Sequence, residues 1–272
     1  MSNLALISRD VAEILPAAGT DEFAPSVVAM LRDQVNIDEA CMIVYPRDES
    51  PRIAHRETQK PGDEPNLDTF IKGPFLLDPY YVAAAREGRF GFFPLSHLAP
   101  TGFKTSEYYR TYYRFSGIFD ECGYLTPIGD GGFANLSLAR ADGNQPFESS
   151  TLRCLADLAP LVTALTQHHW RLLPANPSTE QISLRTQLES ALESFGESVL
   201  TARERQIINS ILHGHTSKAI AQSLAISVET VKLHRKNAYR KLAIRNQSEL
   251  FYTFIRALRD CSDEYQGGDP LR

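Results

Sequence analysis

Residues 200–214 read Leu-Thr-Ala-Arg-Glu-Arg-Gln-Ile-Ile-Asn-Ser-Ile-Leu-His-Gly and open a series of three short amphipathic segments. Thr201 and Glu204 have the spacing of a capping box, in which the hydroxyl accepts from an early helix amide and the carboxylate accepts from the cap amide. Apolar residues follow at helical spacing, namely Ile207, Ile208, Ile211 and Leu212. Gly214 then tolerates the left-handed conformation that ends many helices. The stretch therefore predicts a helix with one buried face.

Two shorter amphipathic segments come next. Ser217 is placed to cap a helix whose apolar residues keep the same period, namely Ile220, Ala221 and Leu224. After a tight turn at Ala225, Ser227 is placed to cap a third helix that runs to about Leu242. Glu229 suits the first turn of this helix because the N-terminal end of a helix carries a partial positive charge. The arrangement is typical of a helix-turn-helix domain.

The outer face of the third predicted helix carries a row of cations. Lys232, Lys236 and Arg240 are four residues apart and project from one side, whereas Val231 and Ala238 fall on the inner side. On an isolated surface helix such a row ordinarily serves only solvation. A recognition helix, however, needs front residues that meet base edges and flanking cations that meet phosphates. The row therefore fits the major groove of DNA.

The distribution of charge supports the DNA interpretation. Residues 200–259 contain 11 Lys and Arg against 3 Asp and Glu, a net charge of +8. The rest of the chain contains 17 against 30, a net charge of −13, so the chain as a whole carries −5. Positive charge concentrated in one module is the electrostatic footprint of a nucleic-acid-binding domain.

The same segment closely resembles the C-terminal domain of LuxR-type transcriptional regulators. The resemblance is carried by Leu-Thr-Ala-Arg-Glu-Arg-Gln from Leu200, Lys-Ala-Ile-Ala from Lys218, Ile-Ser-Val-Glu-Thr-Val-Lys-Leu-His from Ile226 and Arg-Lys-Leu from Arg240. It implies an all-α domain of four helices, with residues 217–224 as scaffold and residues 228–242 as recognition helix. It also implies that the last helix, over residues 246–258, carries a dimer contact.

The resemblance assigns roles to residues of the recognition helix. Positions near base edges would be Lys232, Leu233 and Lys236, and positions near the DNA backbone would be Thr230, Arg235 and Arg240. The complete DNA-binding set that we predict also includes Ser217, Lys218, Ser227 and Glu229. The implied protein is a bacterial regulator, more commonly an activator, which binds double-stranded operator DNA as a homodimer and contacts RNA polymerase.

The composition is that of an ordinary globular protein. With 272 residues, 43% of them hydrophobic and 22% charged, the chain is long enough for two domains. Its apolar runs fall short of the roughly 20 residues that cross a bilayer, and its N-terminal residues lack the basic region of a signal peptide, so we expect a cytoplasmic protein. Its cysteines are widely spaced without a CxxC pair, so we expect reduced thiols and neither a metal nor a cofactor.

A change in composition predicts the domain boundaries. After Leu173, Pro-Ala-Asn-Pro-Ser-Thr combines two prolines with polar residues and no periodicity, which indicates a linker. A short helix follows, with apolar residues on one face at Leu184, Leu188, Leu192 and Phe195. We therefore expect a ligand-sensing domain over residues 1–173, a linker with a short helix over 174–199, the helix-turn-helix domain over 200–260, and a C-terminal tail over 261–272.

The N-terminal part mixes helix and strand patterns. Helical patterns cover residues 5–15, 23–34, 106–119 and 149–173, and residues 75–86 read as a loop that leads into a helix. Strand patterns cover residues 40–45, 124–127 and 133–139, and residues 51–66 form a polar excursion. Helices that flank an antiparallel sheet describe an α+β sensor domain of the GAF or PAS type.

Part of this region resembles the autoinducer-binding domain of quorum-sensing LuxR regulators. The matching residues are Asp78-Pro79, Gly123, Pro127 and Ser137. Pro65 and Thr69 stand where that family has Trp and Tyr, and the single Trp of the chain is Trp170. The resemblance therefore implies a relative with a repurposed pocket.

Aromatic residues crowd the middle of the predicted sensor. Between Phe70 and Tyr124 lie 15 of the 26 aromatic residues. Most of them are accounted for by packing, but buried Tyr hydroxyls need polar partners, and so many in one segment suggest a lined cavity. Because aromatic faces and carboxylates attract cations, a cationic or amine-bearing metabolite fits best. The candidate ligand contacts are Phe75, Asp78, Tyr80, Tyr81, Phe93, Tyr108, Tyr112, Asp120 and Glu121.

Three classes of protein can carry a DNA-binding domain of this kind. A ligand-responsive transcription factor explains both domains, with a small-molecule effector and an operator as partners. A response regulator would need a phosphorylatable Asp after an early buried strand, whereas the chain opens with a helical pattern, and a regulator whose N-terminal domain only makes protein contacts stays as the alternative. An enzyme fused to a DNA-binding module is disfavoured because GxGxxG, P-loop, HExxH and GxSxG motifs are absent. We therefore predict a non-enzymatic regulator.

Overall fold

A computed structural model describes residues 3–47, 49–57, 67–114, 117–173 and 184–267. The chain forms two compact units that are each discontinuous in sequence. Unit 1 comprises residues 1–63, 83–98 and 117–181, and unit 2 comprises residues 64–82, 99–116 and 182–272. Two segments of the predicted sensing domain, residues 64–82 and 99–116, therefore belong to the same compact unit as the C-terminal residues 182–272. The sequence-based boundary at residue 173 stays a prediction.

Helices outnumber strands in the described part of the chain. The helices are α1 (Asn3–Ala17), α2 (Phe23–Gln34), α3 (Leu67–Phe70), α4 (Pro79–Ala85), α5 (Ser149–Leu172), α6 (Leu184–Ser194), α7 (Ala202–Leu212), α8 (Ser217–Ser223), α9 (Val228–Lys241) and α10 (Gln247–Gly267). The strands are β1 (Glu39–Tyr45), β2 (Arg52–Arg56), β3 (Gly91–Pro94), β4 (Ile118–Gly129) and β5 (Gly132–Ala141). Short 3₁₀ turns cover Pro74–Leu77, Leu95–His97 and Phe103–Thr105, and a π-helical turn covers Tyr109–Tyr113.

Unit 1 is built on an antiparallel sheet with the strand order β2-β1-β5-β4-β3. One face of the sheet packs with α1, α2 and α5 into the main core, and its residues alternate along the strands: Ala40, Met42, Cys122, Tyr124, Leu136 and Leu138. The Tyr124 hydroxyl donates to the Leu155 carbonyl of α5 at 2.8 Å. Because side chains alternate, the residues in between lie on the opposite face. The expected α+β architecture is confirmed.

Several details of unit 1 differ from the sequence expectations. Residues 52–56 form the edge strand β2 inside the predicted polar excursion, because an edge strand needs only one pairing partner and keeps polar side chains. The helix predicted over residues 106–119 is wrong at its C-terminal end, since the π-helical turn ends at Tyr113 and β4 begins at Ile118. The strand β3 was not predicted, because four residues are too few to show the alternation of apolar and polar side chains. Pro65 and residues 174–183 of the predicted linker lie outside the described residues.

Unit 2 contains the predicted four-helix domain, formed by α7 to α10. The capping box is present, with Thr201 Oγ1 accepting from the Glu204 amide at 3.3 Å and Glu204 Oε2 accepting from the Thr201 amide at 2.8 Å. Gly214 ends α7 with a φ of 85°, as predicted. Helix α10 extends to Gly267, beyond the predicted end at residue 258.

The predicted N-terminal cap of α9 is confirmed, whereas the predicted cap of α8 is wrong. Ser227 caps α9, since its hydroxyl accepts from the Thr230 amide at 3.0 Å. The expectation that Ser217 caps α8 is wrong, because the preceding Thr216 accepts from the Ala219 amide at 3.2 Å. Both residues are good cap formers, and the path of the chain after the α7 turn decides between them.

Segment 99–114 packs against the turn between α7 and α8 within unit 2. A β-carbon added at Gly102 would lie 2.5 Å from the Gly214 carbonyl oxygen, and one added at Gly214 would lie 3.2 Å from the Phe103 Cα. The contact at Gly102 is too close for a β-carbon, and at Gly214 the positive φ of 85° together with the tight contact favours glycine. Gly214 therefore serves both the helix end and the packing of this segment.

His169 of α5 is buried, although it lies next to half-buried residues near the C-terminal end of the helix. Its side chain is only 9% exposed, and its ring stacks on Phe23 with ring centroids 4.1 Å apart. Its Nδ1 atom accepts from the Gly19 amide at 3.0 Å, so the neutral form with a proton on Nε2 fits this position. Burial, assisted by the charge of Arg52 and opposed by Asp21, lowers the pKa of His169 below 6.5.

We expect His169 to make unit 1 less stable in acid. Since the folded-state pKa lies below the unfolded value of 6.5, the unfolded chain binds the proton more readily, and stability falls as the pH drops below about 6.5. The variant His169→Gln, which keeps an acceptor for Gly19, should flatten the dependence of the Tm on pH between 7 and 5. The matched control is His168→Gln, which should retain the wild-type slope. An unchanged slope in His169→Gln would contradict the assignment.

Candidate DNA interface and effector site

The outer face of α9 presents the predicted row of cations. Lys232, Lys236 and Arg240 are exposed, whereas Val231 and Ala238 are completely buried. Within the described parts of the chain, none of the three cations forms an ion pair with a carboxylate. Cations that are not neutralised within the protein are available to phosphates and base edges.

An apolar side chain stands among these cations. Leu233 is 57% exposed, and its methyl groups match the contact that a thymine methyl group offers in the major groove. Of the other predicted DNA contacts, Lys218, Ser227 and Glu229 are exposed, and Ser217, Thr230 and Arg235 are half-buried. The Thr230 hydroxyl lies 2.9 Å from that of Ser227, so both take part in the start of the helix.

Hydrogen bonds fix the orientation of α9 within the domain. Lys241, at its C-terminal end, donates to Glu204 Oε2 at 2.6 Å, and this bond is the main cause that lowers the pKa of Glu204. Arg203 donates to the Leu224 carbonyl at 3.0 Å and thereby holds the turn that precedes α9. Both ends of the helix are therefore tied to α7, which leaves its cationic face pointing outward.

The predicted ligand residues Phe75, Asp78, Tyr80, Tyr81, Tyr108 and Tyr112 all belong to unit 2 and are all buried. Asp78 accepts from the hydroxyls of Tyr108 and Tyr113 at 2.9 Å and 3.0 Å. It also accepts from the amides of Tyr80 and Tyr81 at 2.9 Å and 3.3 Å. Burial raises the pKa of Asp78, and these hydrogen bonds oppose the shift. Four donors saturate a carboxylate, so Asp78 organises this cluster from within.

The π-helical turn at Tyr109–Tyr113 explains why two tyrosines reach the same carboxylate. Tyr108 and Tyr113 are five residues apart, a spacing that points to different sides of an α-helix but comes into line in a wider turn. Tyr113 was not among the predicted contacts, because the α-helical period places it on a different side from Tyr108. The sequence offers one indication that a further tyrosine hydroxyl lies near Asp78, namely the adjacent pair Tyr112-Tyr113.

Tyr81 connects this cluster to α6. Its hydroxyl donates a short hydrogen bond to Glu189 Oε1, and Arg185 Nε donates to the Tyr81 hydroxyl at 3.1 Å and to Glu189 Oε1 at 3.3 Å. The guanidinium also lies 5.6 Å from the centroid of the Tyr81 ring. Burial is the largest cause that raises the pKa of Tyr81, so the residue stays a neutral phenol. Tyr81 therefore acts as a packing and hydrogen-bonding partner of α6.

Tyr112 and Phe75 contribute mainly packing to the same cluster. Tyr112 meets Phe70 edge to face at 6.2 Å between ring centroids, and burial raises its pKa to about 12. Phe75 meets Tyr81 edge to face at 4.8 Å. Both arrangements are the geometries that aromatic pairs prefer in protein cores.

The predicted ligand residues Phe93, Asp120 and Glu121 belong to unit 1, on β3 and β4. Asp120 and Glu121 lie on a strand rather than on the helix predicted over residues 106–119, because β4 already begins at Ile118. Asp120 accepts from the amides of Glu121 and Phe147, each at 3.0 Å, and thereby anchors the loop before α5. Glu121 is only 6% exposed. The Arg89 guanidinium lies 4.8 Å above the Phe93 ring.

Neither a metal cluster nor a membrane-spanning helix is present among the described residues. In these parts of the chain, His, Cys, Asp and Glu side chains form no group of three or more that could hold a metal ion. No described helix is both long and apolar enough to span a membrane. No disulfide links the four cysteines, all of which lie within the described ranges, and Cys122 is completely buried.

Comparisons with known proteins agree on one family. Residues 198–254 match the family described as bacterial regulatory proteins, luxR family. A putative HTH-type transcriptional regulator from the exeN 3′ region of Aeromonas salmonicida is 32% identical over 186 residues, which cover 66% of this chain and 94% of that protein. The transcriptional regulatory protein TdiR of Thauera aromatica is 36% identical over 72 residues, which cover 26% of this chain and 31% of TdiR.

A solved structure supports the fold of the N-terminal part. The VqsR LBD domain from Pseudomonas aeruginosa aligns with a TM-score of 0.53 and 24% identity, and covers 61% of this chain and 98% of that domain. This similarity concerns the fold alone. The match over nearly the full length of the Aeromonas regulator, together with the family match over residues 198–254, shows that the chain belongs to the LuxR family of bacterial transcriptional regulators.

Proposed function

We propose that this LuxR-family regulator binds a palindromic operator as a homodimer and changes its activity in response to a small metabolite sensed by the N-terminal domain. The observation that carries the DNA-binding part is the outer face of α9. It exposes Lys232, Leu233 and Lys236 side by side, outside any ion pair in the described residues. Two cations beside one methyl-bearing side chain offer what base edges of the major groove recognise.

The surrounding charge supports the same proposal. Residues 200–259 carry +8 in a chain of −5, so the domain attracts DNA while the remainder repels it. Arg240, exposed near the end of α9, suits a phosphate contact. The sequence-independent attraction and the base contacts are thereby assigned to different residues, which makes them separable by mutation.

We propose a cationic or amine-bearing effector. Its support is Glu121, a deeply buried carboxylate on β4 that lies on the same sheet face as Phe93 of the neighbouring strand β3. Asp78, Tyr108 and Tyr112 contribute less to this proposal than the sequence suggested, because Asp78 is saturated by partners of its own unit. That saturation also favours the second candidate, a regulator whose N-terminal domain only contacts other proteins.

We expect Lys232→Ala and Lys236→Ala to lose discrimination between operator and random DNA by on the order of 1–3 kcal/mol each, because base contacts supply specificity. The matched control is Arg240→Ala, which should weaken binding to both DNAs equally and reduce the salt dependence by about one phosphate contact. An operator selected from a random pool and titrated at several salt concentrations gives the measurement. Unchanged operator preference in both Lys variants would contradict the assignment of Lys232 and Lys236 as base contacts.

We expect dimeric binding to appear as a fixed spacing between half-sites, about one helical turn from centre to centre. Inserting about 5 bp between the half-sites places them on opposite sides of the duplex and should reduce affinity at least tenfold. A spacer of unchanged length but altered sequence is the control. Equal affinity for both spacings, with protection of a single half-site in footprinting, would show that the protein binds as a monomer.

A further inference from the structure

Glu229 places a negative charge on the cationic face of α9. It is exposed and occupies the second position of the helix, since Ser227 is the N-terminal cap. An α-helix turns through about 100° per residue, so residues three, four and seven positions further along lie on the same side. These residues are Lys232, Leu233 and Lys236, and all three are exposed. The face that we propose for the major groove therefore includes one carboxylate.

The first turn of α9 does not depend on a bond to this carboxylate. The Ser227 hydroxyl already accepts from the Thr230 amide at 3.0 Å. In a capping box the acid stands at the third helical position, which Thr230 occupies here. The structural role that remains for Glu229 is attraction to the positive end of the helix, which is worth a few tenths of a kcal/mol to about 1 kcal/mol on an exposed surface.

The other acids of the C-terminal domain differ from Glu229 in having partners. Residues 200–259 contain three acids, all within the described ranges. Glu204 accepts from Lys241 at 2.6 Å, and Glu249 accepts from the Arg245 amide at 2.8 Å. The carboxylate of Glu229 takes part in no ion pair with a described residue, although it lies among the cations of α9. It is therefore available to a donor outside the protein.

The major groove of DNA offers a carboxylate few favourable contacts. Phosphates repel it, and so do the acceptor atoms of guanine (O6 and N7) and thymine (O4). Adenine has a donor at N6, but its N7 acceptor lies beside it. Cytosine presents the N4 amino group, which is the donor that Glu and Asp side chains recognise. Because the N-terminal residues of a recognition helix are the ones that meet base edges, the position of Glu229 suits this contact.

We propose that Glu229 is a specificity-determining residue that accepts a hydrogen bond from the N4 amino group of a cytosine in each operator half-site. Lys232 and Lys236 offer donors to base acceptors, and Leu233 offers an apolar contact, so Glu229 adds an acceptor to the face. The same carboxylate weakens binding wherever no amino group faces it, which disfavours other sequences. This proposal rests on the proposed operator binding and names one base of the operator together with the residue that reads it.

Selection of operators from a random DNA pool by the full chain and its variants tests the proposal. The wild-type chain should select cytosine at one position of each half-site, and Glu229→Ala should reduce that preference roughly tenfold. Glutamine has nearly the same shape but pairs with N6 and N7 of adenine, so Glu229→Gln should change the preferred base at that position from cytosine to adenine. The matched control is Glu197→Gln, which removes an exposed acid that pairs with Arg205 of α7 and should select the wild-type operator.

Binding to random DNA separates base reading from a structural role. Because a repelling charge is removed, both Glu229 variants should bind random DNA at least as tightly as the wild-type chain, while their affinity for the wild-type operator falls. A lower Tm with equally weakened binding to both DNAs and no changed base would show that Glu229 only supports the helix, and overturns the proposal. Identical operators selected by the wild-type chain and Glu229→Gln also overturn it, while operator binding itself stands. A pool from which the wild-type chain selects no site contradicts the proposed function and this inference with it.

Discussion

A buried polar side chain must have its hydrogen-bonding groups occupied, and the response to this constraint shapes each part of the molecule. Asp78 meets it most fully, with two tyrosine hydroxyls and two backbone amides directed at one carboxylate. Four donors have to converge on it, so residues 78–81 and the turn at Tyr109–Tyr113 are fixed relative to each other. The π-helical turn, which is rare in proteins, is stabilised because it brings Tyr113 into line with Tyr108.

Glu204 satisfies the same constraint in a way that serves DNA binding. It accepts from the Thr201 amide and from Lys241, so one buried carboxylate caps α7 and also anchors the end of α9. Removing such a group would leave Lys241 unpaired and the first turn of α7 uncapped. Helix α9 thus owes its orientation to polar groups on its inner side. Its outer side is left with cations that the described part of the protein does not neutralise.

Asn135 is the contrasting case, because its side-chain oxygen has no donor among the described residues. Glu121 lies on the same face of the sheet and is also deeply buried. Asp120, one residue from Glu121, is fully paired, since backbone amides donate to both of its carboxylate oxygens.

The sequence by itself determined the parts of the protein that depend on neighbours three or four residues away. The Thr201–Glu204 capping box, the Ser227 cap, the Gly214 helix end and the cation row of α9 are all set by such local spacing, and the structure has each of them. The tertiary structure alone decided which tyrosines reach Asp78, that Arg52–Arg56 pairs as a strand, that His169 is buried and that Asn135 lacks a donor among the described residues. These outcomes depend on partners distant in sequence, and no short-range pattern encodes such a partner, because burial and hydrogen bonding are fixed only when the segments pack together.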